Sequence, residues 1–288
     1  MAVKKLTELF SVRDDESHMI ESETGYIYDK LIAAASEKMI GTELLALRLG
    51  PGDIPGSSTD VQLADKDTLG VHGPIAEGAE IPHAKMTFSE LTYTPLKYGA
   101  FNLITEEMVE DNKFAVQDFH LKEIGYQIAQ KYDTEILKAI ETGADANSTD
   151  HNATCTGLTL AGITDAMEFI EADSYTPTDL IVQSSEVKDL RKLDVFVDAS
   201  ISGGPSAVNT NLIGSIYGNV KVWQSENVNT SGDALMLDRS AAVCLAEKRP
   251  ITVKGYDPVL QDARGAVATC RMAAGYLRKE ACCTITVS

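Results

Sequence analysis

GPGDIPGSSTDVQLADKDTLGVHGPIAEGAEIP, from Gly50 to Pro82, is the stretch on which the reading of this chain turns. Gly50, Pro51, Gly52, Pro55, Gly56, Gly70, Gly73, Pro74, Gly78 and Pro82 punctuate it, and few large apolar residues stand between them. That punctuation predicts loop. Compact domains seldom hold more than about 15 residues of connection without a helix or core strand, and the exceptions are functional segments or linkers. Two readings stay open on these residues: a surface excursion or linker, or an extended hairpin whose burial comes from another molecule. Val61 and Leu63, then Leu69 and Val71, supply short alternating runs for the two sides of such a hairpin.

On the N-terminal side, Ile27, Leu31, Ala34, Ala35, Lys38 and Met39 fall at helical spacing among many charges, which predicts an arm with one helix before Leu49. On the other side, Lys85 to Leu103 alternates through Met86, Phe88, Leu91, Tyr93, Leu96, Tyr98, Phe101 and Leu103, with Pro95 tolerable at an edge or bend. This predicts a long strand or strand pair. Thr105 then caps a short helix with Glu106 and Glu107 in its first turn, near the positive end of the dipole. Leu121, Ile124, Ile128, Tyr132, Ile136, Ala139 and Ile140 recur at three and four residues, predicting a helix from about Phe114 to Thr142, ended by Gly143. Its opposite face holds Lys122, Glu123, Gln127, Gln130, Lys131, Asp133 and Lys138.

The polar run from Thr142 to Thr156 reads as a connection to a second, mixed α/β lobe. There the pattern predicts helices at Leu160–Ala172 and Ser185–Leu193, strands at Asp179–Gln183, Asn219–Gln224 and Ala234–Leu237, and a Gly/Ser loop at Ser200–Asn211. From Ala241 onward the text is strand-rich: Ala242–Ala246, Ile251–Tyr256, Ala266–Ala274 and Ala281–Val287. These strands are expected to pair with the early ones, with the second lobe inserted between them.

The 288 residues are 44% hydrophobic and 24% charged, which excludes a disordered or collagenous chain. At this length about three quarters of the unfolded surface can be buried, so the core needs no disulfide or metal. Cys155, Cys244, Cys270, Cys282 and Cys283 are odd in number and form no Cys-x-x-Cys pair, which fits folding in a reducing compartment. No signal peptide and no membrane span are expected, since nowhere do eighteen apolar residues run together. Lys plus Arg is 25 against 43 Asp plus Glu, a formal charge of −18 that repels phosphate backbones and argues against reading or coating nucleic acid.

No catalytic, cofactor or metal constellation emerges. His72 and His83 with Glu77 and Glu80 are competent metal ligands, but intervening glycine and proline give them no fixed geometry. Ser206 lacks the second glycine of a nucleophile elbow, Cys155 has no basic neighbour in sequence, and no glycine precedes a lysine as a phosphate-binding loop requires.

The order of elements, with several local phrases, resembles the major capsid proteins of tailed viruses, whose fold is named for bacteriophage Hong Kong 97. Glu77-Gly78-Ala79-Glu80-Ile81-Pro82 is similar to the text that closes that family's extended loop, and Phe88 to Leu96 with Pro95-Leu96-Lys97 to the strand that follows. Ile104-Thr105-Glu106-Glu107-Met108-Val109-Glu110-Asp111 resembles the acidic phrase before its spine helix, and Asn211-Leu212-Ile213-Gly214 before Val220-Lys221-Val222 a phrase of its axial lobe. The resemblance covers about Gly50 to Val287.

It implies an α+β fold with an N-terminal arm (1–49), an extended hairpin loop (50–84), a peripheral lobe with the spine helix (85–142 and 242–288) and an inserted axial α/β lobe (143–241). The protein would then be structural and not an enzyme, without cofactor, assembling through pentamers and hexamers into an icosahedral shell around double-stranded DNA. Val61, Leu63, Lys66, Leu69, Val71, Glu77 and Glu80 would make the intersubunit loop, and Ser202, Gly203, Gly204 and Pro205 a loop near the capsomer axis. Expected partners are further copies, a separate scaffolding protein, a portal and a decoration protein, with packaged DNA held without sequence-specific contact and no membrane. The place would be the virion capsid, assembled in the host cytoplasm. Some relatives weld subunits by a Lys–Asn bond; Lys66 or Lys85 could offer the amine, but no asparagine follows Asn229 as acceptor. The alternatives are an encapsulin-type nanocompartment, which shares the fold, and a soluble enzyme using residues 50–82 as a lid.

Overall fold

A computed structural model describes residues 39–65, 73–80, 83, 85–111, 116–147, 151–192, 212–216, 220–228, 230, 233–256 and 263–287. The arm helix expected around Ile27–Lys38 lies outside them. So do Lys66, Leu69 and Val71 of the loop and Ser202, Gly203, Gly204 and Pro205.

The strands are β1 (Leu47–Leu49), β2 (Thr59–Ala64), β3 (Phe88–Tyr93), β4 (Leu96–Thr105), β5 (Asn152–Cys155), β6 (Asp179–Val182), β7 (Leu212–Ile216), β8 (Val220–Gln224), β9 (Ala234–Leu237), β10 (Val243–Tyr256), β11 (Ala263–Tyr276) and β12 (Cys282–Val287). The helices are α1 (Glu106–Asp111), α2 (Val116–Ala146), α3 (Leu160–Ala172) and α4 (Ser184–Leu190). They build a four-stranded sheet, β1-β10-β11-β4, a six-stranded sheet, β5-β12-β9-β6-β8-β7, and a separate two-stranded ribbon, β2-β3.

α2 joins the two large sheets. Its 31 residues span about 46 Å at the usual rise. Ile124, Ile128, Tyr132, Ile136 and Ile140 are buried against Ala268, Cys270 and Met272 of β11, and the same core takes in Ile181, Leu235, Leu237 and Cys282 of the six-stranded sheet. That sheet's other face carries α3 and α4, with Ile163, Ala166, Ile170, Val187 and Leu190 on Leu180, Val182, Val222, Met236 and Ile285. β6 and β9 are buried at every position because helices cover both their faces, which is why they read as unbroken apolar runs instead of alternating ones.

The structure corrects four expectations. The helix does not end at Gly143 but continues to Ala146. Gly143 is there because the end of β11 and the start of β12 come too close for a side chain: a Cβ would lie 2.9 Å from Cβ of Tyr276 and 3.1 Å from Sγ of Cys282. Gly143→Val therefore overpacks this contact, and calorimetry should show the protein destabilised by about 1–3 kcal/mol. Asp133, assigned to the solvent face of the helix, is buried, because Ile40–Gly41 and Ser225–Asn227 pack over it.

The last strand does not join the early strands. Cys282–Val287 pairs parallel with β5 and antiparallel with β9, so the C-terminus closes the six-stranded sheet and not the sheet of the long helix to which 242–288 was assigned. Ala242–Ala246 and Ile251–Tyr256, read as two strands, are one strand, β10, with register shifts between Glu247 and Arg249 and between Arg249 and Thr252. Pro250, which cannot donate to a ladder, sits in that irregularity.

Candidate assembly surfaces

The glycine-rich stretch enters and leaves through the ribbon. β2 pairs antiparallel with β3, from Thr59 opposite Tyr93 to Ala64 opposite Phe88, so the return strand is Phe88–Tyr93 and the element runs past residue 84. Among the described residues the ribbon shares no ladder with either large sheet, and side chains hold it in place. Alternation gives it two faces. Val61, Leu91 and Tyr93 turn toward the four-stranded sheet and form a small core with Ile54, Leu47, Leu49, Cys244, Ala246, Ala273 and Leu277.

Gly275 makes this contact tight: a Cβ there would meet Cε1 of Tyr93 at 2.5 Å, so the ring lies directly on the backbone. The Tyr93 hydroxyl donates to the carbonyl of Tyr276 at 2.8 Å. Arg278 donates to the carbonyl of Ala64, Lys248 to that of Gly56, and Arg271 to that of Pro95 at 3.3 Å. Side-chain donors thus hold backbone carbonyls beside the ribbon's base, at Gly56 and Pro95, and at the far end of β2, at Ala64.

Beyond the base the ribbon runs into solvent. Val61 and Leu63 are half-buried, while Glu77, Glu80 and the other described residues from Gly73 to Glu80 are exposed. Phe88 is 61% exposed, Met86 47% and Ile75 39%. Of the sequence-predicted loop residues that the structure describes, Val61, Leu63, Glu77 and Glu80, only Val61 enters the small core. The structure gives larger parts to Tyr93 and Phe88, which the sequence presents as ordinary strand residues, and to Gly275, which stands as punctuation after the strand expected at Ala266–Ala274; the sign was a bulky aromatic, Phe88, in a run with so little else to bury it. Glu80 and His83 lie 3.9 Å apart in full exposure, a weak pair.

The buried polar groups elsewhere serve the scaffold. The Asp179 carboxylate accepts from Trp223 Nε1 at 2.6 Å, Arg239 Nη2 at 2.7 Å and Thr178 Oγ1 at 2.7 Å, at the side of a cleft of about 660 Å³ that Lys221 and Asp238 also line. Burial pushes the thiols of Cys244 and Cys283 up to about 12, far from the reactive thiolate range.

Asp233 is raised above the usual carboxylate range by burial and by the neighbouring charges of Glu141, Asp145 and Glu186. A raised folded pKa means that its contribution is favourable below the unfolded value near 4 and is lost as pH rises through the folded one. Asp233→Asn should therefore raise the melting temperature at pH 7, and the gap to the native chain should close as the pH falls toward 4.

Comparison with known proteins agrees with this architecture. Residues 44–287 match the Phage capsid family. The chain belongs to that family. No curated protein matches. Among solved structures, the capsid of cyanophage P-SCSP1u superposes with a TM-score of 0.67 at 13% identity, over 88% of this chain and 89% of that one. A chain of Mycobacterium phage Che8 gives 0.65 at 11%, over 86% and 91%. The capsid of a native GTA particle gives 0.64 at 13%, over 86% and 90%. At such identities these likenesses speak for the fold, an α+β capsid fold.

Proposed function

We propose that this chain is a major capsid protein whose copies assemble through pentamers and hexamers into an icosahedral shell around double-stranded DNA, as a structural subunit without enzymatic activity. Family membership supports the class. The observation that carries the mechanism is the ribbon: among the described residues its core lies at the paired strands, through Val61, Leu91 and Tyr93, while Ile75, Met86 and Phe88 are exposed. Laid on a neighbouring copy, those side chains gain the burial their own chain does not give them. Each such contact is modest, and many of them repeated by symmetry close into a durable particle.

In this reading residues 50–84, with Lys66, Leu69, Val71, Glu77 and Glu80, form the intersubunit extension. The sheet of the long helix forms the peripheral domain, residues 143–241 with β12 the axial one, and Ser202–Pro205 approach the capsomer axis. A scaffolding protein, a portal and a decoration protein are the further partners, and assembly takes place in the host cytoplasm. The formal charge of −18 favours a genome held as contents over one held by specific contacts. Sedimentation and electron microscopy of the expressed protein test the proposal: it requires capsomers or closed megadalton particles, and a stable 31.0 kDa monomer at high concentration would refute it.

A further inference from the structure

The four-stranded sheet lays one face on α2 and turns the other away. Register sorts the outward residues into rows across β4, β11 and β10: Lys97, Arg271 and Arg249; then Gly99, Thr269 and Thr252; then Phe101, Val267 and Lys254; then Leu103 beside Gly265. Four cations stand in these rows and no acid does, in a chain of formal charge −18. Phe101 is 54% exposed and Leu103 38%, and a Cβ on Gly265 between them would meet both at 3.2–3.3 Å. Arg249 Nη2 donates to Thr269 Oγ1, while its solvent-shielded Nε has no hydrogen-bond partner among the described residues.

The other end of this face, Cys244, Ala246, Ala273 and Gly275, is where the chain seats its own ribbon through Val61, Leu91 and Tyr93. The cationic half continues the same surface. The ribbon's opposite face presents Asp60, Gln62, Glu90, Thr92 and Phe88, all exposed: two acids, an aromatic and no cation. Spacing agrees as well as sign. From the row of Asp60 to that of Phe88, and from the row of Lys97 to that of Phe101, is two rows on one strand face, about 13 Å in each case.

We propose that the cationic half of the sheet's outer face is the receiving surface for the acidic face of a second copy's ribbon. Asp60 and Glu90 meet the Lys97–Arg271–Arg249 side and Phe88 meets Phe101 and Leu103. This rests on the assembly reading of the ribbon and gives it an address. Charge sets the register and speeds the encounter, and the aromatic contact supplies burial. A ribbon offered in the wrong direction sets Asp60 against apolar rows and Phe88 against cations, which disfavours it.

A charge swap tests the assignment. Lys97 and Lys254 are exposed, so Lys97→Glu with Lys254→Glu should leave the melting temperature unchanged while raising the protein concentration needed for assembly at least tenfold. Adding Asp60→Lys and Glu90→Lys should bring it back to within about threefold of the native value. Native assembly should also weaken between 0.1 and 1 M salt, as the screening length falls from about 10 to 3 Å. Normal assembly of the first double variant, or no recovery in the quadruple one, overturns the proposal. So does a double variant that builds normal shells but loses duplex DNA from them, which would give the face to nucleic acid. If the native chain itself builds no particles, the assembly reading falls too; if it does and the swap has no effect, only the address is wrong.

Discussion

Replacing residues 66–86 by an Asn-Gly turn leaves a protomer that folds and builds no shells. The amide of Asp65 donates to the carbonyl of Thr87 at 3.0 Å, and Ala64 stands opposite Phe88, so a two-residue turn closes the shortened hairpin without disturbing its register. The small core under the ribbon is untouched, since Ile54, Val61, Leu91 and Tyr93 all lie outside the deletion. The described residues of the deleted stretch, 73–80, 83, 85 and 86, are exposed; removing such residues costs about 0.5 kcal/mol or less, so the melting temperature should move by no more than about 2 °C.

Assembly has far more to lose. Ile75 and Met86 go with the deletion, and Phe88 loses the chain beyond it that would hold it against a neighbour. Full burial of each such side chain contributes about 1.5–3 kcal/mol, so a partial contact still amounts to roughly two orders of magnitude in association per ribbon. Repeated around a closed particle, that loss leaves only free protomers or capsomers. Light scattering and electron microscopy read the outcome: native-size particles from the shortened chain would contradict the role given to the ribbon, whereas an unfolded chain by circular dichroism would contradict the claim that the ribbon tip is unnecessary for folding.

Asp133→Ala should lower the melting temperature by roughly 6–20 °C. The Asp133 carboxylate is 1% exposed and gathers uncharged donors from two distant parts of the chain: the amides of Ile40, at 2.9 Å, and Gly41, and Asn227 Nδ2 at 2.7 Å with Ser225 Oγ at 3.4 Å. Truncation leaves several buried donors unsatisfied at once, a cost of about 3–5 kcal/mol. At this chain length each kcal/mol corresponds to about 2–4 °C. Asp133→Asn keeps one acceptor oxygen and should fall between the two. Gly41 belongs to the same clamp, since a Cβ on it would come within 2.8 Å of Asp133 Oδ1. Differential scanning calorimetry settles the magnitude; a shift under about 2 °C would mean that water or a rearranged loop replaces the carboxylate.

Much of the fold was legible because it rests on local pattern. The 3.6-residue spacing of Ile124, Ile128, Tyr132, Ile136 and Ile140 announces α2, and α3 and β9 fall on the expected residues, because periodicity and the residues at their ends are properties of neighbours in the chain. The short strands β1, β5 and β7 were not singled out, since each mixes arginine, asparagine, threonine, serine or glycine with its few apolar residues and, unlike the wholly apolar β9, does not stand apart from loop. Gly143 and Gly275 look alike in sequence to any turn glycine. Only the packing of the end of β11 and the start of β12 on α2, and of the ribbon on β11, makes each a point where no side chain fits.

The candidate surfaces divide in the same way. That Gly50–Pro82 lacks the apolar residues to pack by itself is a matter of composition, and it was decided in the sequence along with the acidic charge. Which face of the ribbon is covered, and that Lys97, Arg249, Lys254 and Arg271 share one side of one sheet, depends on pairing β4 with residues more than 150 positions away. Alternation along a single strand says that its residues take turns between two faces; only the register with distant strands and the seat of α2 decide which face turns outward, because that choice is made by long-range burial and not by neighbours.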